Sequence, residues 1–148
     1  MSPSKQRQTA DGIVAAFNRM DIDSILSARS ESCLREFYPA SLKFPSQNND
    51  QYRANLTKFA SVFQNFELTV HDVIEDLPNR KLCMWAKARA DTLAGEYVNE
   101  YVWSMEFDES GEKVVTWKEF VDAVMAKEFL PKLVAEIAKK RTGSQPAA

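Results

Sequence analysis

Histidine is almost missing from this chain, with one residue, His71, among 148. Cysteine is nearly as scarce, at Cys33 and Cys83. So few soft ligands do not make a zinc site, and two thiols do not make a disulfide framework; no metal is expected. Charge of one sign is lacking too. Lys+Arg total 19 against Asp+Glu 21, giving a net charge of −2, and no basic block offers a nucleic-acid or membrane surface. The basic residues of the last segment, Lys127, Lys132, Lys139, Lys140 and Arg141, suit a helix C-terminus instead. No apolar run approaches membrane-spanning length, and "MSPSKQRQTADG" has no apolar centre for a signal peptide. Cytosolic residence with reduced thiols is the expectation, and the Asn55-Leu56-Thr57 sequon should then stay bare.

What is present is ordinary globular material, 45% hydrophobic and 27% charged, in a length that suits one domain. Residues 1–8 and 141–148 read as flexible tails around a domain ordered over about 9–140. Ile13, Val14, Phe17 and Met20 recur at helical spacing. Ile22, Ile25 and Leu26 suggest a short second helix capped by Asp21 or Asp23. A strand over "SCLREFY" runs into a segment broken by Pro39 and Pro45. Tyr52, Leu56, Phe59, Ala60 and Phe63 then stripe a third helix, with Asn49 or Asp50 as its cap.

Beyond Phe63 the period changes to two. Strands are expected in "ELTVHDVIED", "KLCMWAKARADT" and the two halves of "YVNEYVWSMEFDESGEKVVTWKEFVD", joined by turns at "LPNR", "LAGE" and "DESG". A closing helix follows from about Ala123 to Lys140. Helices followed by hairpins predict an α+β domain: a cone-shaped, curved antiparallel sheet with helices over its concave face, enclosing a pocket.

Side-chain parity then sorts the strands. Tyr97, Asn99, Tyr101, Trp103, Met105 and Phe107 share the core face, leaving Glu100 outside. Met84, Ala86, Ala88 and Ala90 share another inner face, a row that large neighbours or a ligand must fill. Trp85, which shares a face with Lys87 and Arg89, lies outside and hints at a dimer interface. His71 falls on the parity opposite Leu68, Val70 and Ile74 and so belongs outside, whereas Asp72 shares the inward parity. Residues 113–122 have no clean parity. A β-bulge would let Trp117 and Phe120 both face inward and would aim Glu119 or Asp122 at the cavity mouth. Either carboxylate suits acid or base work in an aromatic pocket, and Asp122 equally suits the cap of the last helix.

The order of elements, with "CLREFYPASLKFP", "FQNFELTVHDVIED" and "ARADTLAGEYVNEYVWSMEFDESGEKVVTWKEFVD", resembles fungal SnoaL-like proteins of the nuclear-transport-factor-2-like superfamily. The likeness runs from about Thr9 to Leu133. It implies a small homodimer, joined through the outer sheet face, with a deep pocket for an apolar small molecule and no cofactor. Relatives of that kind include polyketide cyclases and isomerases of fungal meroterpenoid and xanthone pathways. Their shared chemistry is removal of a proton next to a carbonyl while pocket donors stabilise the enolate. Arg35 stands where many such proteins would carry histidine or glutamine. The resemblance therefore implies Glu119 or Asp122 as acid/base. Arg35, Tyr38, Asn99 and Tyr101 would orient oxygens, and Phe63, Trp103, Met105 and Trp117 would form the wall. Two rival readings share the fold: a non-catalytic carrier, and a dimeric interaction module whose pocket is filled by its own aromatics.

Overall fold

A computed structural model describes residues 2–143. In chain order they form α1 (Lys5–Asn18), α2 (Ile22–Ser27), β1 (Arg29–Tyr38), a single 3₁₀ turn (Ala40–Leu42), α3 (Asn49–Val62), β2 (Gln64–Asp76), β3 (Lys81–Thr92), β4 (Gly95–Phe107), β5 (Val114–Val121) and α4 (Ala123–Gly143). Among them no helix is long and apolar enough to cross a membrane.

Caps set the helix starts, and two of them differ from the sequence expectation. Ser4 accepts from the Arg7 amide, so α1 begins at Lys5 and takes in residues assigned above to a tail. Asn48, not Asn49 or Asp50, caps α3 in a reciprocal capping box with Gln51. Asp122 accepts from the amides of Val124 and Met125 and so opens α4, which continues past Lys140 to Gly143. Residues 144–148 of the expected tail lie outside the described residues.

The sheet runs β1-β5-β4-β3-β2, curved and unclosed. Strands β2 to β5 are the expected antiparallel meander, but β1 lies parallel to β5, so the sheet is mixed rather than wholly antiparallel. Parallel neighbours need a long connection, and here everything from α3 to the β4–β5 turn supplies it. Helix α1 is pinned across the concave face at both ends. Near its start Thr9 donates to the Gly111 carbonyl at 2.6 Å. At its end the Asn18 amide group bonds the Leu68 carbonyl at 3.0 Å and the Leu68 amide at 2.7 Å. Gly111 has φ +75 and would bring a Cβ within 3.0 Å of the Gln6 nitrogen, so both its conformation and this approach require glycine.

Two bulges decide which residues face the core. Between Val70 and Asp72 the register against β3 slips, with His71 as the extra residue. Parity therefore reverses: Val73 pairs with Met84 on the inner face, while Asp72 pairs with the exposed Trp85. Asp72 and Ile74 are outside, the latter 65% exposed, contrary to unbroken alternation. The second slip lies at Val115, between the Thr116–Glu106 and Val114–Phe107 pairs. It lets Val114 and Trp117 both be buried and sends Glu119 and Val121 inward. Phe120, expected inside, is 53% exposed because the bulge precedes Trp117 instead of following it.

The alanine row is filled from within the chain. Ala86, Ala88 and Ala90 pair with Tyr101, Asn99 and Tyr97 of β4, and all three alanines are fully buried. Small residues beside large ones give space for rings rising from β4 to meet those of α1 and α3.

Candidate active site

Glu119 is the carboxylate that the Val115 bulge turns into the core, where it is 2% exposed. A buried carboxylate is tolerated only when its charge and lone pairs are met. Arg35 Nη2 donates to Oε2 at 2.7 Å, and Trp103 Nε1 donates to Oε1 at 2.9 Å. Both partners follow from register. Trp103 is cross-strand to Glu119 on β4, and Arg35 on β1 sits beside Trp117, one inward position away.

Arg35 is itself held from several sides. Its backbone exchanges two 2.9 Å hydrogen bonds with Gln47, and Nη1 donates to Gln47 Oε1 and Asn55 Oδ1, each at 3.1 Å. Its guanidinium lies 4.4 Å from the ring centres of Phe37 and Tyr52. Burial is the largest influence and would lower its pKa, but the charge and hydrogen bond of Glu119 together with Tyr52 and Tyr101 outweigh it and hold the group above the ordinary arginine value. A second buried guanidinium, Arg29, lies 4.8 Å from the Tyr52 ring and bonds Asn49 Oδ1 at 2.8 Å. Burial brings its pKa below the usual arginine value.

Three tyrosines complete the polar shell. Asn99 Nδ2 donates to the Tyr97 hydroxyl at 2.8 Å, and the Tyr97 and Tyr101 hydroxyls lie 2.5 Å apart. Burial raises all three phenols: Tyr52 to about 12, Tyr101 well above its usual value, and Tyr97 less because its hydrogen bonds oppose the rise. They are neutral donors at neutral pH.

Some of these groups line a cavity of about 30 Å³. Arg35, Tyr52, Asn55, Tyr101 and Glu119 give its polar side; Phe17, Leu56, Phe59, Phe66, Leu68 and Trp103 give its apolar side. That volume holds about one water molecule. Outside it, a ring cluster closes the space between α3, β4 and α4: Phe59 stacks on Phe63 at 3.9 Å, Phe63 meets Tyr97 edge-on at 4.7 Å, and Phe129 lies 5.7 Å from Tyr97. Among the described residues, no three His, Cys, Asp or Glu side chains come together as metal ligands.

Of the residues singled out in the sequence, Arg35, Tyr101, Trp103 and Glu119 line the cavity. Asn99 and Phe63 are buried around Tyr97, while Met105 and Trp117 are fully buried and Trp117 packs on Trp103 at 4.9 Å. These four support the lining without forming it. Tyr38 pairs with the outward Phe120 and so belongs to the other sheet face. Asp122 is exposed, its carboxylate committed to the α4 cap, and is corrected from a cavity residue to a structural one. Tyr52, Asn55, Phe59 and Phe66 were not assigned to the site from sequence. The α3 stripe carried Tyr52 and Phe59, and Asn55 follows Tyr52 by one helical turn. Gln47 and Arg29 left no periodic signal.

No protein-family model matches the chain. It is 32% identical over 146 residues to the austinoid biosynthesis clusters protein H of Penicillium brasilianum, covering 95% of this chain and 99% of that one. It is 34% identical over 132 residues to a protein named monooxygenase AacuP of Aspergillus aculeatus, covering 89% and 91%. Among solved structures, PrhC from Penicillium brasilianum superposes with a TM-score of 0.84 at 25% identity, over 90% and 91% of the two chains. The BvnE pinacolase from Penicillium brevicompactum gives 0.83 at 28%, over 88% and 95%. An NTF2-like protein from Burkholderia pseudomallei, 16% identical with a TM-score of 0.71 over 88% and 98%, shares the fold. Sequence and architecture agree: the chain belongs to the SnoaL-like family of the nuclear-transport-factor-2-like fold, and its relatives include proteins of fungal secondary-metabolite clusters.

Proposed function

We propose that the protein is a cofactor-independent isomerase or cyclase acting by proton transfer on a polyketide or terpenoid intermediate of fungal secondary metabolism. The observation that carries this reading is Glu119, buried and oriented by Arg35 and Trp103 beside two neutral phenols. A carboxylate with one bond to each oxygen keeps lone pairs for a further proton. Glu119 takes the proton from a carbon next to a carbonyl. The Tyr101 and Tyr52 hydroxyls donate to the carbonyl oxygen as it gains negative charge, and Glu119 or a phenol returns the proton elsewhere. The name of one relative, a pinacolase, fits rearrangement chemistry, and that of another, an austinoid biosynthesis clusters protein, fits secondary metabolism.

A polycyclic intermediate does not fit about 30 Å³, so in this scheme the Phe59 and Phe66 rings swing aside as it enters. The test is conversion, by purified protein, of the metabolite that accumulates when the gene is deleted in its host. Under argon, the product should have unchanged mass or have lost water. Oxygen-dependent gain of one oxygen atom, the outcome suggested by the name of AacuP, would overturn the reading.

The small cavity also favours a second reading, an interaction module whose pocket its own rings fill. In that case no pocket ligand binds and Glu119→Gln leaves function intact.

We further propose that the functional unit is a homodimer through the outer sheet face. Tyr38, Phe120, Val102 and Trp85 pair in one register row across four strands, with Phe120 and Trp85 each 53% exposed.

A further inference from the structure

Four buried donor groups on Tyr52, its two guanidinium neighbours and Trp117 have no partner. They are the Tyr52 hydroxyl, on a residue 1% exposed, with Arg35 Nε, Arg29 Nη1 and Trp117 Nε1. Arg35 and Arg29 lie 4.4 and 4.8 Å from the Tyr52 ring centre, and Arg29 lies 5.7 Å from that of Trp117. Tyr52 and Arg35 line the cavity directly.

The charges do not balance either. Two guanidiniums, Arg29 buried and Arg35 with its side chain 12% exposed, face one carboxylate, Glu119, which is already paired with Arg35. The partners of Arg29 are neutral, Asn49 Oδ1 at 2.8 Å and the Cys33 carbonyl at 3.4 Å. No neighbour supplies the missing negative charge, since burial raises the Tyr52, Tyr101 and Cys33 groups and keeps them protonated at neutral pH. A buried, uncompensated cation beside unmet donors is costly unless something else accepts from them.

We propose that the polar end of the cavity recognises an anionic oxygen group, a carboxylate or an enolate, seated against Arg35 and Tyr52 with Arg29 supplying the balancing charge. This names the substrate class of the site above, and rests on that reading only in taking the cavity as the ligand site.

Calorimetric titration of the full chain at neutral pH tests it with two matched pairs. Naphthalene-2-carboxylate is compared with naphthalene-2-carboxamide. Dimedone, an enolate at neutral pH, is compared with 3,3-dimethylcyclohexanone, which separates the two anion types. At least one anion should bind tenfold or more tightly than its neutral partner. The ratio should fall below threefold in Arg29→Met and survive in Arg29→Lys, with folding checked by circular dichroism. Equal binding within both pairs, binding by none of the four, or a preference untouched by Arg29→Met would each overturn the inference. The comparison in the unaltered protein depends on no variant. Binding is also read without turnover: anion preference without conversion would sink the isomerase reading alone, and conversion without anion preference would sink this inference alone.

Discussion

At the scale of single residues, Glu119 and Asp122 show how three positions separate a buried acid from a structural cap. Glu119→Gln keeps an acceptor for Arg35 or Trp103 but cannot take a proton. Turnover should fall by about 10²- to 10⁴-fold while unfolding remains cooperative, measured by product assay and thermal melting. The tyrosines give a pH prediction. Tyr52 has a folded pKa of about 12 against an ordinary 10.0, and Tyr97 and Tyr101 are also raised. A raised folded value means the native state holds its protons longer than the unfolded one. This stability is therefore fully present below pH 10 and lost as pH rises from 10 through 12, at most about 3 kcal/mol for Tyr52. Phenolate absorbance should show these three tyrosines un-ionised past pH 10 until the chain unfolds. Parity already put Tyr101, Trp103 and Asn99 on the inner face, since β4 has no irregularity from Tyr97 to Met105. It could not place Glu119, whose direction depends on one extra residue at Val115.

At the scale of elements, α4 starts at the Asp122 cap, its first turn burying Ala126 while Val124 is 63% exposed. Asp122→Ala should cost about 1 kcal/mol, read by urea denaturation, and leave turnover unchanged, the opposite profile to Glu119→Gln. The element order was legible because turns at "LPNR", "LAGE" and "DESG" and the change of period are local signals. The bulge at His71 was not. Hydrophobicity alternates through Leu68, Val70 and Ile74 as if unbroken, and only pairing with β3 shows that Val73, not Ile74, meets Met84. Nor was the parallel placement of β1 legible, since its partner lies more than seventy residues along the chain. That placement brings Arg35 to Glu119, so the central ion pair of the site is a fact of topology rather than of local sequence.

At the scale of the whole molecule, a five-stranded sheet presents one face to α1, α2 and α3 and leaves the other with an apolar row. If two copies meet there, Phe120→Asp should shift the protein from dimer to monomer in sedimentation experiments, with cavity residues untouched. A molecule that remains dimeric would place the contact elsewhere. The concave side gathers a carboxylate, two guanidiniums and three neutral phenols from β1, α3, β4 and β5 around one small cavity. The decisive measurement is deuterium incorporation from D₂O into substrate or product, followed by mass spectrometry for the unaltered protein and for Glu119→Gln. Proton transfer through Glu119 predicts one deuterium at the carbon beside the carbonyl with the unaltered protein and none above background with the variant. Conversion without deuterium uptake, or equal uptake by Glu119→Gln, would contradict it.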